Sequence, residues 1–445
     1  MQAWTKRAFS LRSRKPRRGR APMIYEADAA LGICGVYRHV YAIPAYAEQP
    51  EALHALLTQI DEAGVLVVLV VNAPVSAPAD RLRATEQLLA WARSWGRPVA
   101  ELGNVTLRTA NGLSLLVLDR VSAGLRLTHG VGQARAIAGK VCQALSESGK
   151  LLGHFMHCLD ADSLPVSGAC EQLEQMWAPG VAGAVRSVIG DGGAGSALFD
   201  TMARAYLIQT QRTGSPWAIL PSGPGISVDL SHYGAIGGFR SQPNSEDVAM
   251  IHDLGCVGTL LRPPGGRVVT SGRTDQRVPL KSHAGRMERV ALGLQTGLPP
   301  TGINPDLFLH MRSVHSIAQS YCRNPTTSKN YSDRLREECR MQQDVRPDLL
   351  EMTIVEAFGA LDGRPFPSDP VAAYRNLYGG FTMREQTLLC RKLGQTAFPP
   401  VPVPKALETL GIVCDDPTWQ EPLRQILALE QAECTSPTGS FTWAG

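Results

Sequence analysis

From Val36 onward, short apolar runs alternate with amphipathic stretches along the chain. Val36 to Ile43 reads as a strand closed by Pro44. Gln49-Pro50-Glu51 then opens a helix with Leu53, Leu56, Leu57 and Ile60 on one face, and Gly64 stops it. Val65 to Val71 is wholly apolar and rich in β-branched valine, the pattern of a strand buried on both faces of a parallel sheet. Ala79 to Ser94 reads as a helix, Leu113 to Leu118 as a third strand, Ala134 to Leu145 as a helix and Leu151 to Leu159 as a fourth strand. Strand–helix alternation with short connections predicts a doubly wound, mostly parallel α/β sheet flanked by helices. Ligands in such sheets bind beyond the carboxyl ends of the strands. That rule puts Pro44-Ala45, Asn72 and the pair Asp160/Asp162 around one crevice.

Beyond Trp177 the texture changes. Val181 to Val188 is a further strand, Phe199 to Gln211 a helix, and glycines cluster at 223, 225, 234, 237 and 238. From about Pro299 the chain is mainly helical: Ile303 to Ala318, Tyr331 to Gln343, Leu349 to Leu361, Arg384 to Leu393 and Pro422 to Glu433. At 445 residues the chain exceeds the usual single domain. A boundary is expected near Arg277 to Gly297, dividing an α/β unit at 31–285 from a helical region at 286–445.

Composition excludes some classes. The net charge of +4 is small and local, because Lys6, Arg7, Arg12, Arg14, Lys15, Arg17, Arg18 and Arg20 precede any acidic residue. The rest of the chain is slightly acidic, so no general nucleic-acid surface is expected. The basic tail, placed at 1–30 and expected to be disordered, has three readings. It is an arm for acidic phospholipid or nucleic acid, a solvated extension, or sequence upstream of the functional unit, and the last two are favoured. No apolar segment follows it as in a secretory signal, and no apolar run is long enough to span a bilayer. Ten scattered cysteines without a Cys-x-x-Cys pair read as reduced thiols. A cytoplasmic protein, peripheral to the inner membrane face if the tail binds lipid, is the expectation.

Two acidic pairs carry the candidate chemistry. Asp160 and Asp162 lie one residue apart at a strand end, where i and i+2 point together. Two oxygen donors so placed suit Mg²⁺ or Mn²⁺, although aspartates also end strands as ordinary turn residues. Glu246 and Asp247 follow Gly237-Gly238-Phe239, with Ser245 as N-cap, and their plain reading is a helix start favoured by the helix dipole.

In order, Ile43-Pro44-Ala45-Tyr46-Ala47-Glu48, an apolar strand ending at Asn72, Asp160-Ala161-Asp162, and Gly237-Gly238-Phe239 with Glu246-Asp247 resemble the inverting family 2 glycosyltransferases of the GT-A fold. The resemblance spans about Val36 to Arg277 and implies a GT-A-like nucleotide-sugar-binding catalytic domain at 31–285. It implies that Pro44, Ala45 and Glu48 line a nucleotide pocket and that Asn72 stands where relatives carry a base- and ribose-reading Asp. It further implies that Asp160 and Asp162 serve metal and diphosphate, that Asp247 is the catalytic base, and that Glu246 supports it. The family's histidine ligand after the Glu-Asp helix has no counterpart in Val268 to Arg273, and Arg273 and Arg277 are expected to neutralise the diphosphate instead. His252 is expected to pack or face solvent, and His157 is ambiguous.

The implied reaction transfers a sugar from a nucleoside-diphosphate sugar to an acceptor hydroxyl on a glycan, lipid, small molecule or peptide. A degenerate nucleotide-sugar-binding or scaffold protein is the first alternative, and a sugar-phosphate nucleotidyltransferase the second. The helical region is an acceptor platform, a homodimer interface or a membrane-surface contact. Trp177, Phe199, Tyr206, Trp217 and Tyr233 either stack on sugars or fill a core.

Overall fold

The computed structural model describes residues 21–128, 130–242, 245–272, 283–297, 301–323, 347–358 and 369–434. Helix α1 (Ala21–Ile33) leads into β1 (His39–Ala45), α2 (Pro50–Gln59), β2 (Val65–Asn72) and α3 (Ala79–Ser94). There follow β3 (Arg97–Leu102), β4 (Val105–Ala110), β5 (Leu113–Arg120), α4 (Val131–Glu147), β6 (Phe155–Cys158) and β7 (Ser163–Leu164). Next come α5 (Ala169–Met176), β8 (Val181–Val185), β9 (Val188–Asp191), α6 (Ala194–Arg212), β10 (Ile226–Asp229), α7 (Leu230–Ile236), α8 (Glu246–Val257), β11 (Thr259–Leu261) and β12 (Val268–Ser271).

These strands build a nine-stranded sheet in the order β11-β8-β10-β6-β1-β2-β5-β4-β3. Its centre, β6-β1-β2-β5, is parallel throughout, so the carboxyl ends of those strands share one edge. β10 joins β6 antiparallel, and β3 and β4 extend the far edge antiparallel. The sheet is therefore mixed, an α/β architecture compatible with a Rossmann-like fold. The reason β2 sits centrally is its composition: all eight residues are buried, and a strand apolar on both faces must be covered on both. α1 and α4 cover one face and α2 and α3 the other.

Several expected boundaries shift. β1 runs through Pro44 to Ala45 instead of ending at Ile43. Ala42 directs its carbonyl to Leu159 on the β6 side, so Pro44 directs its missing N–H to the same side, beyond the end of β6. The fourth expected strand shortens to β6, and Val181 to Val188 splits into β8 and β9. Residues 21–30, assigned to the basic tail, lie in α1, which buries Ala29 and Ala30 against the sheet and pairs Glu26 Oε1 with Arg120 Nη2 at 2.5 Å. Residues 1–20 lie outside the described residues.

A small sheet, β7-β12-β9, flanks the large one. The C-terminal region is helical as expected, with α9 (His283–Gln295), α10 (Pro305–Arg323), α11 (Pro347–Phe358), α12 (Pro370–Gly380), α13 (Met383–Thr396), α14 (Val403–Glu408) and α15 (Gln420–Cys434). The expected helix Tyr331 to Gln343 lies outside the described residues. One continuous core links Val68 and Val228 in the sheet to Met311, Tyr378 and Phe398, so no hydrophobic break separates the helical region from the sheet. Arg204 of α6 ties it further, with Nη1 3.2 Å from Asp200 and Nε 3.2 Å from Glu430 of α15.

Candidate active site

The two acidic pairs come together through a residue that the motifs did not include. Arg135, on the buried face of α4, holds Asp160 Oδ1 with Nη2 and Glu246 Oε1 with Nη1, both at 2.5 Å. A guanidinium presents separate, coplanar N–H donors in fixed directions, so its two Nη atoms each take one carboxylate, a geometry that the single nitrogen of an ammonium does not reproduce. Burial works against the charge of Arg135, but Asp160 and Glu246 outweigh it and raise its pKa. Burial pushes Asp160 up, with Arg135 opposing and Asp162 and Asp247 adding to the rise. Glu246 is raised by burial in the same way, again against Arg135 and with Asp247 adding. Asp160, Asp162, Glu246 and Asp247 thus share one electrostatic field.

Close backbone approach makes the arrangement possible. A Cβ on Gly223 would lie 2.0 Å from Arg135 Nη2, so the Gly223-Pro224-Gly225 turn passes directly over the guanidinium. A Cβ on Gly132 would lie 2.3 Å from the Gln242 carbonyl, so the first turn of α4 seats the loop that leads to Glu246. Glycine at both positions removes the atom that would separate these segments.

Asp160 and Asp162 sit on the loop after β6, at the shared carboxyl edge of β6, β1 and β2. The Asp162 carbonyl accepts the Ser271 N–H of β12 at 3.2 Å, and β7 pairs with β12, which anchors this loop to the small sheet. Glu246 and Asp247 form the first turn of α8. They differ in exposure: Glu246 is buried against Arg135, whereas Asp247 is half-buried with Oδ1 accepting the Val248 N–H at 2.8 Å. Glu246 is thus an anchor for Arg135. Ser245 occupies the N-cap position, but it is left-handed (φ 59°) and its side chain makes no capping hydrogen bond among the described residues.

The remaining expected residues divide. Pro44 and Ala45 end β1 and are buried, Glu48 is buried just beyond, and Asn72 ends β2. Asn72 Oδ1 is buried without a hydrogen-bond partner among the described residues. These four line the same edge as Asp160. Arg273 and Arg277 lie outside the described residues. Gly237 and Gly238 are turn glycines at φ 80° and 74° that close α7, with a Cβ on Gly238 blocked by Tyr233. A cavity of about 480 Å³ opens one strand over, at the end of β5, between Glu26, Arg93, Asn104, Asp119 and Arg120.

His252 stacks on Trp217 at 5.1 Å and meets Asp253 at 3.3 Å, which fits the packing role expected of it. Trp217 and Tyr233 are core residues, with Trp217 Nε1 donating to the Phe381 carbonyl at 2.7 Å. Trp177 stacks on His154 with ring centres 3.9 Å apart.

Arg135 left one sequence signal. It is the single charge in Gly132-Gln133-Ala134-Arg135-Ala136-Ile137-Ala138-Gly139, where its neighbours are small or apolar and mostly buried. A cation on the buried face of a helix needs a buried anionic partner. Comparison of the chain with models of known protein families found no match, and comparison with curated proteins found none.

Proposed function

We propose that the protein is an inverting glycosyltransferase that moves a sugar from a nucleoside-diphosphate sugar to an acceptor hydroxyl, with Asp247 as the base. The observation that carries this reading is the Arg135 bridge, which joins Asp160 of the strand-end pair to Glu246 of the helix-start pair at the ligand edge of a parallel sheet. Two acidic pairs far apart in sequence and tied to one guanidinium form one site. Four separate turn or helix-start acids need no such tie.

Carboxylate oxygens are the donors that a hard divalent cation takes. Asp160 and Asp162 offer carboxylate oxygens on an anchored loop, and Arg135 claims only one oxygen of Asp160. Mg²⁺ or Mn²⁺ held there by Asp160 and Asp162 would act as a Lewis acid toward the departing diphosphate. Arg135 keeps Asp160 and Glu246 in fixed positions and offsets their charge beside an anionic substrate. Asp247, the more exposed acid of its pair, takes the acceptor hydroxyl's proton during attack. The unpartnered Asn72 Oδ1 supplies an acceptor for a ribose hydroxyl or a base N–H.

The test is a panel of nucleotide sugars with Mg²⁺ or Mn²⁺, following released nucleoside diphosphate. Metal-dependent release supports the reading. Binding of a donor without turnover on any acceptor would instead leave a degenerate binder, and release of pyrophosphate would mark a nucleotidyltransferase.

A further inference from the structure

We propose that His39, His157 and Cys170 form a second, buried metal site for a thiophilic divalent cation, zinc foremost, on the sheet face turned away from α4. His39 lies on β1, His157 on β6 and Cys170 in the first turn of α5. Val40, Ala42, Met156 and Cys158 pack with the α4 core, so their alternating neighbours His39, Tyr41 and His157 take the other face. One ligand atom from each of His39, His157 and Cys170 lies within 4.8 Å of the other two, and all three residues are buried. An ion bound at about 2.0–2.1 Å to nitrogen and about 2.3 Å to sulfur spans such a set after small side-chain rotations.

The hydrogen bonding points to a ligand. Among the described residues, both ring nitrogens of His39 are buried without a hydrogen-bond partner, and so is His157 Nε2. Buried imidazoles ordinarily satisfy their polar atoms. His157 Nδ1 meets Ser227 Oγ at 2.9 Å, the contact that orients a metal-binding imidazole and leaves Nε2 for the ion. Cys170 Sγ donates to Tyr41 Oη at 3.2 Å, and Glu62 Oε1 accepts the Cys170 N–H at 3.1 Å. Glu62 thereby brings a carboxylate beside the sulfur to offset the ion's charge. Burial, with the charges of His39 and Arg186 adding, lowers the pKa of His157 to about 3, whereas burial and Glu62 push the Cys170 thiol well up, so the ion itself must displace the thiol proton. Binding forms two metal–nitrogen bonds and one metal–sulfur bond and releases the Cys170 thiol proton to solvent.

Nitrogen and sulfur donors select zinc over magnesium or manganese, which separates this site from Asp160 and Asp162. His157 precedes and Cys170 follows the loop that carries those aspartates, so the ion would clamp both ends of it.

The full chain, purified without chelator, is expected to retain stoichiometric zinc. Exchange with Co²⁺ is expected to produce a thiolate-to-cobalt charge-transfer band. Cys170→Ser should abolish the band, Ser227→Ala should weaken affinity about 10-fold, and Asp160→Asn with Asp162→Asn should leave it intact. Circular dichroism separates loss of the site from loss of the fold. A wild-type chain that binds neither zinc nor cobalt with a charge-transfer band overturns the proposal, as does a band that survives in folded Cys170→Ser.

Discussion

Arg135 and Glu246 stand 111 positions apart in the chain and meet as a buried ion pair, Nη1 to Oε1 at 2.5 Å, with about 4% of each side chain exposed. The same guanidinium holds Asp160, so α4 is the element that brings the strand-end acids to the helix-start acids.

Breaking this bridge should be costly. Arg135→Ala leaves the buried Glu246 and the half-buried Asp160 without their cation, and the expected loss is about 3 kcal/mol in urea unfolding, the low end for a broken buried pair. Arg135→Lys should recover only part, since one ammonium cannot serve both acids with fork geometry. Stability unchanged in Arg135→Ala would mean that the bridge does not order the site.

Gly223 and Arg135 should be coupled. Gly223→Ala drives a methyl into a guanidinium locked by two carboxylates, and overpacking of this kind costs about 1–3 kcal/mol. Once Arg135→Ala has removed the guanidinium, the same change should cost much less. A double-mutant cycle showing simple additivity would contradict the close approach.

Asp247→Asn should lower turnover by about 10²–10⁴-fold, the usual contribution of a positioned general base, while donor binding changes little. Glu246→Gln should act through stability instead, because Glu246 is buried against Arg135. Isothermal titration with a donor and Mn²⁺, beside initial rates, separates the two. An Asp247→Asn enzyme with undiminished turnover removes Asp247 from the role of base.

Acid should destabilise the helical region through His315. Its imidazole is buried with Nδ1 2.8 Å from Tyr378 Oη, and burial lowers its pKa from 6.5 to about 3. The unfolded chain takes up this proton first as pH falls, so the contribution is complete above pH 6.5 and is lost toward pH 3. The slope is about 1.4 kcal/mol per pH unit at most. Replacing His315 by Phe should flatten the acid limb of urea midpoint against pH, and an unchanged limb would assign it elsewhere.

Much of the architecture was legible in the sequence. β2 and α2 follow from periodicity, because an all-apolar run rich in β-branched valine and a leucine stripe each suit one environment. The β3–β4 hairpin was missed because Arg97-Pro98-Val99-Ala100-Glu101-Leu102 is an exposed edge strand without apolar alternation. Its link to β5 did carry a signal, since Asn111-Gly112 takes the positive φ angles of a tight hairpin turn.

The acids themselves were visible, as Asp160, Asp162, Glu246 and Asp247 stand beside the elements that present them. Arg135 was not, and neither was the grouping of His39, His157 and Cys170. Local pattern determines which segments become strands and helices, because side-chain periodicity and turn chemistry act within a few residues. Which helix covers which face of the sheet depends on packing between distant segments. Only that packing decided that one buried cation would join two acidic pairs, and that two histidines and a cysteine would meet on the opposite face.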